Sequence, residues 1–148
     1  MTQISGKARA ASRLSAVQAL YQIDMEQTQL HLLLDEFHQH RLGAEIEDVE
    51  YLKADVPFFD DLVKGVDARR NEIDLMLSAK LAKGWSLARL DKTMLQILRA
   101  GSYELMARKD VPIATVITEY VDVAHAFFEE REAKFVNGVL DAVAKDVR

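Results

Sequence analysis

The chain has 148 residues, 49% of them hydrophobic, enough to bury a core of its own, so residues 1–148 are expected to form one domain. No apolar run approaches the roughly 20 residues that cross a bilayer, and the N-terminus has no apolar block with a cleavage-type site. This predicts a cytoplasmic protein with no membrane partner. The absence of cysteine excludes disulfides, thiolate metal sites and cysteine nucleophiles. A net charge of −5 would argue against a nucleic-acid binder, because phosphate contacts supply much of the affinity in such complexes. The charge is unevenly spread, however. Residues 1–23 contain no acid while Lys7, Arg9 and Arg13 carry +3, and the other 16 cations face 24 acids, a net of −8. By charge alone a solvated N-terminal helix is the simpler reading.

The elements follow in chain order from helical spacing. Leu14, Val17 and Tyr21, flanked by Leu20 and Met25, share one helix face; Leu30, Leu33, Leu34 and Phe37 make a second. Tyr21, a large ring with a polar tip, fits an interface anchor and a core position equally well, and Met25 shares that ambiguity. The acidic stretch from Glu45 to Asp55 is the best candidate for a mobile connection. Asp55 can cap a helix carrying Phe58, Phe59, Leu62, Val63 and Val66, then Ile73, Met76, Leu77 and Leu81, with a bend or break possible at Gly65.

Lys83-Gly84 reads as a helix stop, after which Ser86 or Asp91 caps the next helix. That helix carries Met94, Leu95, Leu98 and Leu105, with Gly101 and Ser102 small enough to let another helix approach closely. Val111 to Ile117 is β-branched, but its apolar pattern runs on at helical spacing to Ala124, which favours helix. Phe135, Val136, Val139, Leu140 and Val143 mark the last helix. Pro57 and Pro112 fall near helix starts, where a missing N–H costs little. Six or seven helices joined by short loops predict an all-α bundle.

Catalytic chemistry is hard to assemble from these residues. Six glycines scattered singly build neither a phosphate loop nor a dinucleotide fingerprint. His38 with Asp35 could ligate a metal on a helix face, but no second cluster completes four ligands, so no metal and no cofactor are expected. His125 reads as a boundary residue rather than a general base. The acidic pairs Asp60-Asp61 and Glu129-Glu130 diverge by about 100° on a helix and cannot converge on one bond. The aromatic pairs Phe58-Phe59 and Phe127-Phe128 read as core anchors at helix ends.

Several segments together resemble the NusB family. They are Ala16-Val17-Gln18-Ala19-Leu20-Tyr21; Gly84-Trp85-Ser86-Leu87; Ile97-Leu98-Arg99 with Tyr103-Glu104-Leu105; Val111-Pro112; and Val116-Ile117-Thr118-Glu119. The most specific is Lys134-Phe135-Val136-Asn137-Gly138-Val139-Leu140-Asp141. Their order and spacing carry the resemblance over nearly the whole chain.

The resemblance implies an all-α fold of about seven helices in two sub-bundles, with residues 1–7 as a flexible arm, and a non-catalytic transcription antitermination factor. Such a factor pairs with the ribosomal protein NusE on boxA RNA and acts with other Nus factors on RNA polymerase, notably in ribosomal RNA operons. It assigns RNA contact to Lys7, Arg9 and Arg13 in the arm and to Lys134, Phe135 and Asn137 near the C-terminus. Tyr21 and Met25 are the expected partner anchors, and a homodimer stays open. Cations for phosphates, a phenylalanine for stacking and an asparagine for a base edge agree with single-strand recognition. The competing reading makes Phe135 a core residue and Asn137-Gly138 a close-packing pair.

The chain departs from the family pattern in two places. Ala10 and Ala11 stand where arginine is frequent, and Glu129 to Ala133 replaces a glycine-led loop ending in Ser-His. Both changes predict weaker RNA binding without the partner. Two other functions compete. One is a relative of the helical domain of an rRNA cytosine-5 methyltransferase, disfavoured because the sequence holds no α/β domain, cofactor-binding glycines or cysteine. The other is a protein-interaction module with a weakened RNA surface.

Overall fold

The computed structural model describes residues 2–42 and 54–148, with side chains from Gly6 onward. Among these residues the chain is all-α: α1 (Thr2–Glu26), α2 (Leu30–His40), α3 (Val56–Lys80), α4 (Lys92–Ala107), α5 (Ile113–Phe127) and α6 (Glu130–Val147), with a 3-10 turn at Leu87–Arg89. Six α-helices thus stand where about seven were anticipated. The difference lies in α3, which joins two helical segments across a kink where Arg69 leaves helical geometry (φ −111°, ψ 19°). The acidic connection expected from Glu45 to Asp55 lies, up to residue 53, outside the described residues.

The chain divides into two compact units, Met1–Lys64 and Gly65–Arg148. In the first, Gln27 adopts a left-handed φ of 54° that ends α1 and turns the chain toward α2. Leu33, Leu34 and Phe37 bury one face of α2, and Phe37 stacks on Phe59 at 5.5 Å between ring centroids. Asp55 caps α3 as expected, its Oδ1 accepting from the Phe58 N–H at 3.1 Å. His38 pairs with Asp60 at 2.6 Å, whereas Asp35 accepts from Gln39 at 3.1 Å.

In the second unit α4, α5 and α6 pack against one another. Asp91, not Ser86, caps α4, accepting from the N–H groups of Thr93 (2.8 Å) and Met94 (3.2 Å). Gly101 works as anticipated: a β-carbon there would stand 2.9 Å from Leu140 Cδ1 and 3.3 Å from Tyr120 Cδ2, so neighbours on α6 and α5 both use its missing side chain. Overpacking of this kind typically costs about 1–3 kcal/mol. Gly65 has a different role from the bend considered for it, since a β-carbon would overlap the Tyr103 ring. Tyr120 Oη donates to the buried Glu104 at 2.9 Å, and Arg99 forks onto Asp74 with two bonds of 2.8 Å. Arg148 closes the unit by donating to the carbonyls of Leu105 (3.0 Å), Val111 (2.6 Å) and Arg108 (2.8 Å).

Phe58 and Phe59 are buried core anchors. Phe127 was expected to be one and is instead exposed. It falls in the last turn of α5, beyond the buried stripe that ends at Ala124.

Candidate nucleic-acid interface

The arm residues sit on α1, whose backbone is helical from Thr2. Arg9 and Arg13, four residues apart, share a helix face, and both guanidinium groups lie on the buried Phe58 ring, at 4.5 and 5.0 Å from its centroid. Arg9 Nε also stands 3.5 Å from Asp55 Oδ2. The chain around them is tied in place: the Asp55 N–H donates to the Ala8 carbonyl at 3.2 Å. Ser12 Oγ lies 2.7 Å from the Asp55 carbonyl and 3.0 Å from that of Ala8, its single proton serving one at a time. Arg13 is only 3% exposed, so the three cations read together in the sequence part company. Lys7 is in solvent, Arg9 is half-buried and Arg13 is a packing residue.

Tyr21 (40% exposed) and Met25 (49%) resolve the ambiguity of their spacing by standing outside the core. At 100° per residue, Lys7, Gln18, Tyr21 and Met25 fall within a narrow sector of α1, and all four are exposed. A rise of 1.5 Å per residue puts Lys7 and Met25 roughly 27 Å apart along that face. One solvated face therefore carries a cation at its start and an apolar pair at its end.

The second group belongs to the other unit. On α6, Val136, Val139, Leu140 and Val143 bury one face, while Lys134, Phe135 and Asn137 lie on the exposed side. Phe135 is 38% exposed, so it is not the core residue of the competing reading. A β-carbon on Gly138 would meet nothing within 4 Å, so Asn137-Gly138 is not a close-packing pair either. Lys134 and Asn137 line an open recess of about 250 Å³ with Thr118 and Val121 of α5 and Glu130 and Ala133 of α6. The sequence reading missed Thr118, Val121 and Glu130; the only available signal was the i, i+3 pairing of Thr118 with Val121 beside the α5 stripe.

The Glu129 to Ala133 segment is the start of α6. A capping box closes it: the Glu129 side chain accepts from the N3 backbone, and Glu132 Oε1 accepts from the Glu129 N–H at 3.1 Å. Burial alone would push the Glu132 carboxyl up. Bonds from the Glu132 and Glu129 backbone and from Arg131 outweigh it and hold the pKa below the usual carboxylate value. Acids in the first turn also complement the helix dipole.

The profile of the NusB family matches residues 10–145. The transcription antitermination protein NusB of Novosphingobium aromaticivorans is 86% identical over 148 residues, covering all of both chains. That of Sphingopyxis alaskensis is 64% identical over 142 residues, 96% of this chain and 95% of the relative. Among solved structures, T. maritima NusB superposes with a TM-score of 0.76 at 31% identity, covering 93% of this chain and 91% of that one. A crystal structure of antitermination factors NusB and NusE in complex with double-stranded RNA matches with a TM-score of 0.79 at 26% identity, covering 95% and 98%. The chain belongs to the NusB family.

Proposed function

We propose that the protein is a cytoplasmic, non-catalytic transcription antitermination factor that binds boxA RNA together with NusE and acts with other Nus factors on RNA polymerase, without a cofactor. The observation that carries this reading is the near full-length likeness to a NusB that was crystallised with NusE and RNA. Lys7 and Arg9 meet phosphates, Lys134, Phe135 and Asn137 meet RNA from α6, and Tyr21 with Met25 anchors NusE. Arg13 acts from beneath, by holding Phe58 and the start of α1. Residues 1–148 act as one RNA-binding domain, with the basic arm carried on the first turns of α1. Because Arg13 is buried and Arg9 stands beside Asp55, few cations of the arm are free for RNA. Tight binding therefore needs the partner.

The test is boxA RNA affinity measured with and without NusE. A marked gain on adding NusE is expected; equal affinity in both conditions, or no RNA binding in either, would overturn the reading. Met25→Glu should weaken NusE binding and leave the melting temperature nearly unchanged, because the residue is exposed. Loss of folding in that variant would remove Met25 from the interface.

A further inference from the structure

A second cluster of cations surrounds the loop between α3 and α4. From Lys80 to Lys92 the chain carries Lys80, Lys83, Arg89 and Lys92 against one acid, Asp91, in a protein whose net charge is negative. Asp91 is committed to capping α4, and Lys80 is paired with Asp146. Lys83, Arg89 and Lys92 are exposed. Lys92 occupies the first position of α4, where the helix dipole disfavours a cation, so its placement does not serve the helix.

Among these cations stands Trp85, 55% exposed. A large apolar ring left in water is not explained by packing. Nor does it lie on a frayed segment. Gly84 takes φ +90°, a conformation that side-chain-bearing residues rarely adopt. The Trp85 N–H donates to the Ala82 carbonyl at 3.0 Å, and the Arg89 and Leu90 N–H groups donate to Ser86 and Leu87 at 3.1 Å each. Arg89 Nη1 returns to the Gly84 carbonyl at 2.7 Å, which sets its guanidinium 5.2 Å from the Trp85 ring centroid. Leu90 is buried and pins the end of the turn.

We propose that Trp85, stacked with Arg89 and flanked by Lys83 and Lys92, is a second RNA contact that takes unpaired nucleotides flanking the core element. An indole held in place stacks a base of any identity, and nearby cations take its phosphates, which is the chemistry of sequence-tolerant single-strand binding. This inference rests on the RNA-binding reading above and extends its footprint from α1 and α6 to the α3–α4 loop.

Trp85 is the one tryptophan in the chain, so fluorotryptophan labelling gives a fluorine NMR signal that reports this residue alone, even in complex with unlabelled NusE. The labelled protein–NusE complex is titrated with core boxA RNA and with the same RNA extended on both sides by single-stranded uridines, while anisotropy of the RNA is followed in parallel. The extended RNA is expected to shift the Trp85 resonance saturably, at the midpoint seen by anisotropy; the core RNA is not. Trp85→Ala should weaken binding of the extended RNA about five- to a hundred-fold, the range implied by loss of one stacked base, and Trp85→Phe should restore most of it. Lys83→Ala should lower the logarithmic salt slope by about 0.7. Binding of the extended RNA with an unmoved Trp85 signal would overturn the platform and leave the RNA-binding reading standing. Absence of binding to either RNA would overturn both. A resonance that moves equally with polyglutamate would assign the patch to an acidic polypeptide and overturn the RNA assignment.

Discussion

The two groups of candidate RNA-contacting residues use their helices in opposite ways. On α1, Arg9 and Arg13 turn inward and lie on the Phe58 ring, leaving Lys7 as the exposed cation of the three. On α6, the buried valines and Leu140 hold one face while Lys134, Phe135 and Asn137 stay outside. A guanidinium on an aromatic face is partly desolvated and gains from the ring, so it favours packing over solvent. A phenylalanine on the outer face of an amphipathic helix gains nothing comparable from the fold. The same residue types that read as one RNA surface in the sequence thus divide into buried supports and solvent-exposed candidates.

The largest expected effect breaks the comparison on the α1 side. Phe58→Ala removes a buried ring and the seat of two arginines, and should cost about 3–5 kcal/mol of folding free energy, read by urea unfolding. A loss below about 1 kcal/mol would mean that the first unit does not depend on that ring.

The matching change on α6 should act on RNA rather than on folding. Phe135→Ala is expected to cost about 1–3 kcal/mol in affinity for boxA RNA, measured by anisotropy with NusE present, while the melting temperature falls little. The reverse pattern, a stable complex formed by a destabilised protein, would make Phe135 a structural residue despite its exposure.

Salt dependence sharpens the division within α1. Lys7→Ala should reduce the logarithmic salt slope of RNA binding by about 0.7 with no change in stability. Arg13→Ala should lower stability and leave the slope nearly intact. Equal slopes for Lys7→Ala and the unaltered protein would take Lys7 off the phosphates.

The smallest effect is a pH dependence at the start of α6. The folded-state pKa of Glu132 is lowered below its ordinary value of 4.5, so its contribution is present above that value and is lost as pH falls through the lower folded pKa. Fraying of the first turn, followed by amide exchange at Glu129, should begin only in that acid range. Glu132→Gln should remove most of the pH dependence, because the amide can still accept the Glu129 N–H.

Periodicity alone determined much of this molecule. The apolar stripes of α4, α5 and α6, the Asp55 cap and the close approach at Gly101 all follow from local spacing and backbone chemistry, which a linear sequence carries in full, whereas the choice of Asp91 over Ser86 as the α4 cap was made by the fold. Residue order also identified the family through the run from Lys134 to Asp141. What the sequence left open were positions whose environment depends on residues distant along the chain. Tyr21 and Met25 fit a core stripe as well as an interface, and only packing placed them outside. Arg13 looks like Lys7 in sequence, but Phe58, 45 positions away, decides that it is buried. Phe135 and Val136 are adjacent and both apolar, and a rotation of about 100° separates the residue facing solvent from the one facing the core. Spacing gives α6 an apolar face, and only its packing against α4 and α5 decides that Phe135, at the edge of that face, stays in solvent.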